Sequence, residues 1–263
     1  MITLNTILYE GNFRQHLNEN SWYFKFNSKF DIKRRLTINN LTSIDEFNFL
    51  LSKIKDYLNI EIVKVIDYEK EANIFFNTNM NDSSIGYNYA IPYFVTILTC
   101  NTPYILNVSS DCCFDINLTD NYIEKSIELF KQDNLYPVTT LPCNKHWSVI
   151  GVPEGIPNNV SCVGEWEQIN AFNFNKGKEL KNFWCSDVFC DQIFMGDVEK
   201  LKKVDYSING NAIHQPRPPY GGYNSFESRL ADYLASNGMF RPIFKSEVDY
   251  YIHSGHLPNS NIK

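Results

Sequence analysis

The chain predicts an α/β fold, a mostly parallel central sheet flanked by helices in one compact domain. Three observations carry this. Of the 263 residues, 43% are hydrophobic and 15% aromatic, enough apolar side chain for a large core and too much for a disordered chain. The first half alternates strand-like with helix-like segments, the pattern of parallel strands joined by crossover helices. The third is the run Tyr104-Ile-Leu-Asn-Val-Ser-Ser-Asp111-Cys-Cys-Phe-Asp115. Apolar residues around a single Asn read as a strand buried on both faces. The run then turns small and polar and ends on acids. In an open α/β sheet, a carboxylate at the C-terminal end of such a strand sits where ligands and hard cations bind.

The elements follow in order. Residues 2–9 are apolar and β-branched and read as a strand, left through the loop Glu10-Gly11-Asn12. An irregular or helical stretch follows to Asn20. Arg35–Asn39 is a short second strand closed by Asn39-Asn40. Ser43 is an N-cap with acids in the first turn, and Phe47, Leu50, Leu51, Ile54 and Leu58 recur at helical spacing. Glu61–Asp67 reads as a third strand ending on an acid, and Ala90–Leu98 as a helix with Pro92 near its start. Thr119–Phe130 is a capped amphipathic helix, and Asn134–Leu141 a strand. Residues 142–159 are rich in Pro, Gly and Asn and read as a long loop. Asp187–Leu201 reads as a helix followed by a break, and His214–Gly222 as a loop. Ser225–Ala235 is a helix with Ser225 as cap and Gly238 as stop. No repeat or linker divides the chain. One compact unit is expected, with two functional halves, 1–115 and 116–263.

Composition narrows the function classes. The net charge of −6 and the scattered basic residues argue against a nucleic-acid surface. The densest basic cluster, Lys33-Arg34-Arg35, reads as a solvated face. Seven irregularly spaced cysteines suggest neither a disulfide framework nor a zinc site. Reduced thiols, no charged leader at Met1 and no apolar run of spanning length together predict a cytoplasmic protein without a transmembrane segment.

These pieces, in this order, resemble the GT-A-type glycosyltransferases of bacterial and viral polysaccharide synthesis, loosely and over most of the chain. The residues "ILYEGN" look like the exit of the first strand, "LTINN" like the second strand, and "YILNVSSDCCFD" like the strand that bears Asp-x-Asp. "CSDVFCDQIFMGDVEKL" is similar to the element beneath the acceptor. "SFESRLADYLASNG" is similar to a late helix, and "YYIHSGH" looks like a C-terminal segment that can return a His to a metal.

The resemblance implies a sugar moved from a nucleotide diphosphate to a hydroxyl on a glycan or small acceptor, with 1–115 as the nucleotide-sugar-binding half and 116–263 as the acceptor-binding half. It implies donor contacts from Tyr9, Glu10, Gly11, Asn39, Asn40, Asp67, Ser109, Ser110 and His214. Mn²⁺ or Mg²⁺ would be held by Asp111 with Asp115 or His253. Asp191, or else Asp187, would take the acceptor proton, with inversion at the anomeric carbon. Ser109 stands where the family has its first acid, so two carboxylates, a carboxylate and a histidine, or only weak metal binding all remain open. His256, His146, Trp147, Trp166 and Trp184 are further candidates for phosphate or sugar contacts. The rival readings are a nucleotidyltransferase, and a binding module that holds a nucleotide or glycan without turnover.

Overall fold

A computed structural model describes residues 1–9, 22–39, 43–54, 59–78, 80, 86–110, 112–114, 120–133, 136–141, 183–186, 192–207, 225–237, 239, 241–244 and 251–253. In chain order the strands are β1 (Ile2–Tyr9), β2 (Ile32–Asn39), β3 (Ile60–Lys64), β4 (Tyr104–Ser109), β5 (Cys112–Phe114), β6 (Val138–Thr140), β7 (Phe183–Ser186), β8 (Ile193–Asp197), β9 (Arg241–Phe244) and β10 (Tyr251–His253). The helices are α1 (Trp22–Lys25), α2 (Ile44–Ile54), α3 (Val65–Phe75), α4 (Ile91–Thr99), α5 (Asp120–Gln132), α6 (Val198–Leu201) and α7 (Phe226–Ser236).

Eight strands form one sheet in the order β3-β2-β1-β4-β8-β6-β9-β7, and β5 pairs with β10 in a separate two-stranded sheet. Strands β3, β2, β1 and β4 are parallel; β8 runs against both β4 and β6; β9 is parallel to β6; and β7 is antiparallel to β9. Both faces are covered, which is why β1 is buried along nearly its whole length, Thr3, Asn5 and Thr6 included. Even-numbered β1 residues Ile2, Leu4 and Leu8 join Leu36, Leu106, Met195, Tyr23, Leu50 and Tyr122 in one core. Ile7, Ile105 and Phe194 face the other core, built with Ala72, Phe94, Leu201, Phe226 and Leu230. That second core is aromatic: Tyr93 stacks on Phe226 at 4.8 Å between ring centroids, and Phe94 meets Tyr206 edge-on at 4.9 Å.

A polar ladder crosses the parallel strands inside this sandwich. Asn5 Nδ2 donates to Asn107 Oδ1 (2.7 Å), Thr37 Oγ1 donates to Asn5 Oδ1 (2.8 Å), and the hydroxyls of Thr37 and Thr96 lie 3.0 Å apart. Asn5 and Asn107 face each other in register, so the one Asn in the apolar β4 run is matched by the one in β1. The Asn107 Nδ2 group has no partner among the described residues, but the paired oxygens and the Asn5 donor favour a single strand register.

The helix starts match their chemistry. The Ser43 hydroxyl accepts from Glu46 N–H at 3.2 Å, and the Ser225 hydroxyl from Ser228 N–H at 3.1 Å. Pro92 lies in the first turn of α4, where its missing N–H costs nothing.

Four expectations need correction. Arg35 is not on a solvated face: it is fully buried and bonds Glu61, the carbonyls of Thr96 and Thr99, and the Thr99 hydroxyl. The third strand stops at Lys64, and Asp67 stands in the first turn of α3. The strand expected over Asn134–Leu141 is confined to Val138–Thr140. Asp187–Leu201 is not one helix: within it lie β8 and only the four-residue α6. Ile193-Phe-Met-Gly196 is buried on both faces between β4 and β6. A Cβ on Gly196 would lie 2.5 Å from Leu201 Cδ1 and 3.3 Å from Ile105 Cγ2, so close packing demands glycine there. Asp197 is the true cap, accepting from Lys200 N–H at 3.1 Å.

Candidate functional site

The chain leaves β1 for β2 and β3 on one side and returns to β4 on the other. The crevice between the C-terminal ends of β1 and β4 is therefore the point where strand order reverses, the usual ligand position in an open α/β sheet. Tyr9 and Asn39 are register partners at the ends of β1 and β2. Ser109 pairs with Ile7 at the end of β4, and Ser110 follows it. Four of the residues expected to bind the donor thus meet at one edge. Because β8 is antiparallel to β4, its start opens on the same edge. Ser109 N–H donates to the Gln192 carbonyl at 2.6 Å.

Asn39, at the end of β2, carries a sign of an incomplete environment at this edge. It is only 2% exposed, yet its Nδ2 has no hydrogen-bond partner among the described residues. A buried amide donor left unpaired costs about 1–3 kcal/mol, a cost that a ligand acceptor would remove. Asp67 lies beyond this cluster, exposed on α3.

Beside the β4 end, β5 pairs antiparallel with β10, with Cys112 opposite His253 and Cys113 opposite Ile252. The C-terminal segment is thereby brought back to the residue that follows Asp111. Helix α1 runs alongside β5, its Cα atoms within 8 Å. Burial pushes the Tyr23 phenol of α1 well above its ordinary range, against the opposing pull of the Arg34 and Arg35 charges, so it stays neutral.

Glu10, Gly11, Asn40, Asp111, Asp115, Asp187, Asp191 and His214 lie outside the described residues, as do His146, Trp147, Trp166 and His256. Asp111 is bonded to Ser110 and Cys112, and Asp191 to Gln192, so sequence ties both to the edge described. Asp187 follows Ser186 on β7, at the far side of the sheet. Among the described residues no cluster of three or more His, Cys, Asp or Glu could hold a metal, and no helix is long and apolar enough to cross a membrane. Sequence reading missed the fastening of α1 to β2, where Arg34 donates to the carbonyls of Phe26 (2.6 Å) and Tyr23 (3.3 Å). Its only signal was an arginine in a strand whose cluster looked solvated.

No family model and no curated protein matches the chain. Among solved structures it is similar to S. aureus TarS (TM-score 0.50, 12% identity), with 96% of this chain aligned to 36% of that one. It is equally similar to S. aureus TarS 1-349 in complex with UDP (TM-score 0.50, 12% identity), with 95% of this chain aligned to 59% of that one. The chain therefore spans well under two thirds of either. Its fold is the one these structures share, the GT-A arrangement of a mixed, mostly parallel sheet between helices.

Proposed function

We propose that this chain is a glycosyltransferase that takes its sugar from a uridine diphosphate donor. The observation that carries the reading is the convergence of Tyr9, Asn39, Ser109 and Ser110 at the strand-order switch point, with the buried Asn39 amide still lacking a partner. The choice of uridine diphosphate is supported by the similarity of fold to TarS bound to UDP.

In this reading Asn39 and Tyr9, with Glu10, Gly11 and Asn40, bind the nucleoside, and Ser109, Ser110 and His214 face the diphosphate. Asp67 is the most distant of the donor candidates. Asp191, next to the Gln192 carbonyl that holds β4, accepts the proton of the acceptor hydroxyl. The acceptor oxygen then bonds to the anomeric carbon as the bond from that carbon to the β-phosphate oxygen breaks, with inversion, and UDP leaves.

Asp111, with Asp115 or His253, would hold Mn²⁺ or Mg²⁺. The pairing of β10 with β5 supports this set, because it brings His253 opposite the neighbour of Asp111. Such an ion would offset the charge of the departing diphosphate.

The test is a thermal-shift panel of UDP, GDP and ADP, with and without Mn²⁺, followed by a UDP-release assay with UDP-sugars and glycan acceptors. The expected result is stabilisation by UDP alone among the three. At a hundred times the dissociation constant, it amounts to roughly 2.7 kcal/mol. Asn39→Ala should weaken it. No shift with any nucleotide would overturn the reading. Ser109 in place of an acid favours a second reading, a UDP-binding module without turnover. Binding without UDP release under any condition would select it.

A further inference from the structure

Helix α3 carries apolar residues on both of its sides. Val65, Ala72 and, just past its end, Phe76 are buried in the second core. The outward side is made of Ile66, Asp67, Lys70, Glu71, Ile74 and Phe75, all exposed. They recur as adjacent pairs at intervals of four, which places all six on one half of the helix. Three of them are large and apolar, and they are bare: Ile66 is 72% exposed, Ile74 81% and Phe75 51%. A surface helix of a globular domain ordinarily turns such residues inward and leaves a polar outer side. An exposed group of them favours burial against a partner. The position allows it, because β3 is the outermost strand of the sheet and α3 packs over β3 and β2.

The order of the charges says what covers this face. Lys70 and Glu71 stand at its middle, with apolar residues at both ends. Neither has an ion-pair partner among the described residues. Neighbours in sequence on a helix point apart and do not pair with each other. Turned end for end about a two-fold axis between residues 70 and 71, however, the face fits itself. Lys70 then meets the partner's Glu71, and Glu71 the partner's Lys70. Ile66 meets the partner's Phe75, with the partner's Ile74 beside it, and the same contact repeats at the other end. A parallel arrangement would instead set Lys70 against Lys70. From this complementarity we propose that the outward side of α3 is the contact surface of a homodimer, covered by the antiparallel α3 of a second copy of this chain. A two-fold contact of this kind uses the same patch on both copies and closes on itself. Two three-turn helices make an interface at the small end of the specific range, so the dimer is a weak one that forms at micromolar concentration. The proposal is independent of the donor reading; Asp67, which lies beyond the donor cluster, falls at the rim of this contact.

The experiment is sedimentation equilibrium of the whole chain across the micromolar range, with melting temperatures measured in parallel. The parent should form dimers and nothing larger. Lys70→Glu and Glu71→Lys each turn two attractive contacts into repulsive ones, so each should weaken the dimer about tenfold or more. The double variant Lys70→Glu/Glu71→Lys recreates both pairs with the signs exchanged, and should return to within about threefold of the parent. An equimolar mixture of the two single variants should form a mixed dimer, since each supplies the charges that the other lacks. Ile66→Asp should weaken the dimer, while Ile44→Asp, at a residue 78% exposed on α2, should leave it unchanged. A parent that stays monomeric throughout would overturn the proposal. So would a double variant as weak as the single ones, or equal effects of Ile66→Asp and Ile44→Asp. If Ile66→Asp does not fold, the charge variants, which alter only exposed side chains, decide alone.

Discussion

Arg35→Met is the sharpest test of how this fold is held at the end of the sheet opposite the donor edge. The Arg35 side chain is fully buried. It gives four hydrogen bonds: to Glu61 Oε2 (2.7 Å), Thr96 O (3.2 Å), Thr99 Oγ1 (3.1 Å) and Thr99 O (2.9 Å). Thr96 and Thr99 are among the last four residues of α4, whose carbonyls have no partner within the helix. The arginine is thus both an ion-pair partner and the C-terminal cap of a buried helix. Methionine fills the volume of the stem without its charge. Glu61 keeps Lys33 as a cation at 3.2 Å and is exposed enough to rehydrate, so its loss is small. The cost falls on the buried Thr96 carbonyl and the partly buried Thr99 carbonyl, at about 1–2 kcal/mol each, which gives roughly 2–4 kcal/mol in all. Glu61→Ala acts from the other side. It leaves the buried guanidinium with neutral acceptors only, and with Glu61 partly exposed should cost about 1.5–3 kcal/mol, the range for a hydrogen bond between charged groups. Urea unfolding at neutral pH, followed by circular dichroism, measures both as shifts of midpoint at constant slope. Arg35→Met within about 0.5 kcal/mol of the parent would refute the capping argument, because it would mean that water reaches those carbonyls.

The same pair sets a pH dependence. Burial pushes the Glu61 carboxyl up, but its hydrogen bonds and charge contacts with Arg35 and Lys33 outweigh this and hold it below the usual carboxylate value. A depressed folded value means that the stabilisation is complete above the unfolded value and disappears as pH falls through the folded one. The stability difference between the parent and Glu61→Gln should therefore be constant near neutrality and close below about pH 4.3, the ordinary Glu value. Gly196→Ala should cost about 1–3 kcal/mol in the same assay, since its methyl group meets Leu201 in a packed core. Tyr122→Phe should cost about 2 kcal/mol. It removes the hydroxyl that donates to Thr139 O at 3.0 Å and accepts from Met195 N–H at 2.9 Å, both buried.

Where local pattern and final environment agreed, the sequence was legible. The β4 run, the Ser43 and Ser225 caps and Pro92 in α4 each announce their structure within a few residues, and each is found as expected. The meeting of Tyr9, Asn39, Ser109 and Ser110 at one edge was legible for the same reason, since they are polar or aromatic endings of apolar strands. What failed depended on distant partners. Arg35 looks solvated until Glu61 and the end of α4 close around it. Asp187 and Asp191 precede an apolar stretch and read as helix-start acids, and only the insertion of that stretch between β4 and β6 makes it a strand. The third strand was drawn too long because α3 starts at once after Lys64, with no turn residues to mark the change. Ser28 and Asp120 carry no local signal at all, since the hydrogen bond from the Ser28 hydroxyl to the Asp120 carboxylate spans 92 positions.

The replacement of the expected helix by β8 changes the physical basis of the proposed catalytic base and separates its two candidates. On one helix, Asp187 and Asp191 would share a face and be nearly equivalent. In the observed sheet the described residues next to them lie apart: Ser186 ends β7, and Gln192 leads into β8. Asp191 is bonded to Gln192, whose carbonyl is held by Ser109 at the donor edge. Asp187 is bonded to Ser186 at the end of β7, and β7 is separated from β8 by β9 and β6. Three strand spacings put β7 about 14 Å from β8 across the sheet. β7 also runs opposite to β4, so its final residue points the chain away from the donor edge. A general base has to come within about 3 Å of the acceptor hydroxyl. Asp191→Asn should therefore lower kcat by 100-fold or more, within the roughly 10²–10⁴ range for loss of acid–base catalysis, while leaving UDP affinity unchanged. Asp187→Asn should retain kcat within about threefold and change stability alone, by less than about 0.5 kcal/mol. The two variants are compared in a UDP-release assay at saturating donor. If Asp187→Asn loses the activity and Asp191→Asn keeps it, the base does not come from the start of β8. The proximity argument from strand order would then be wrong.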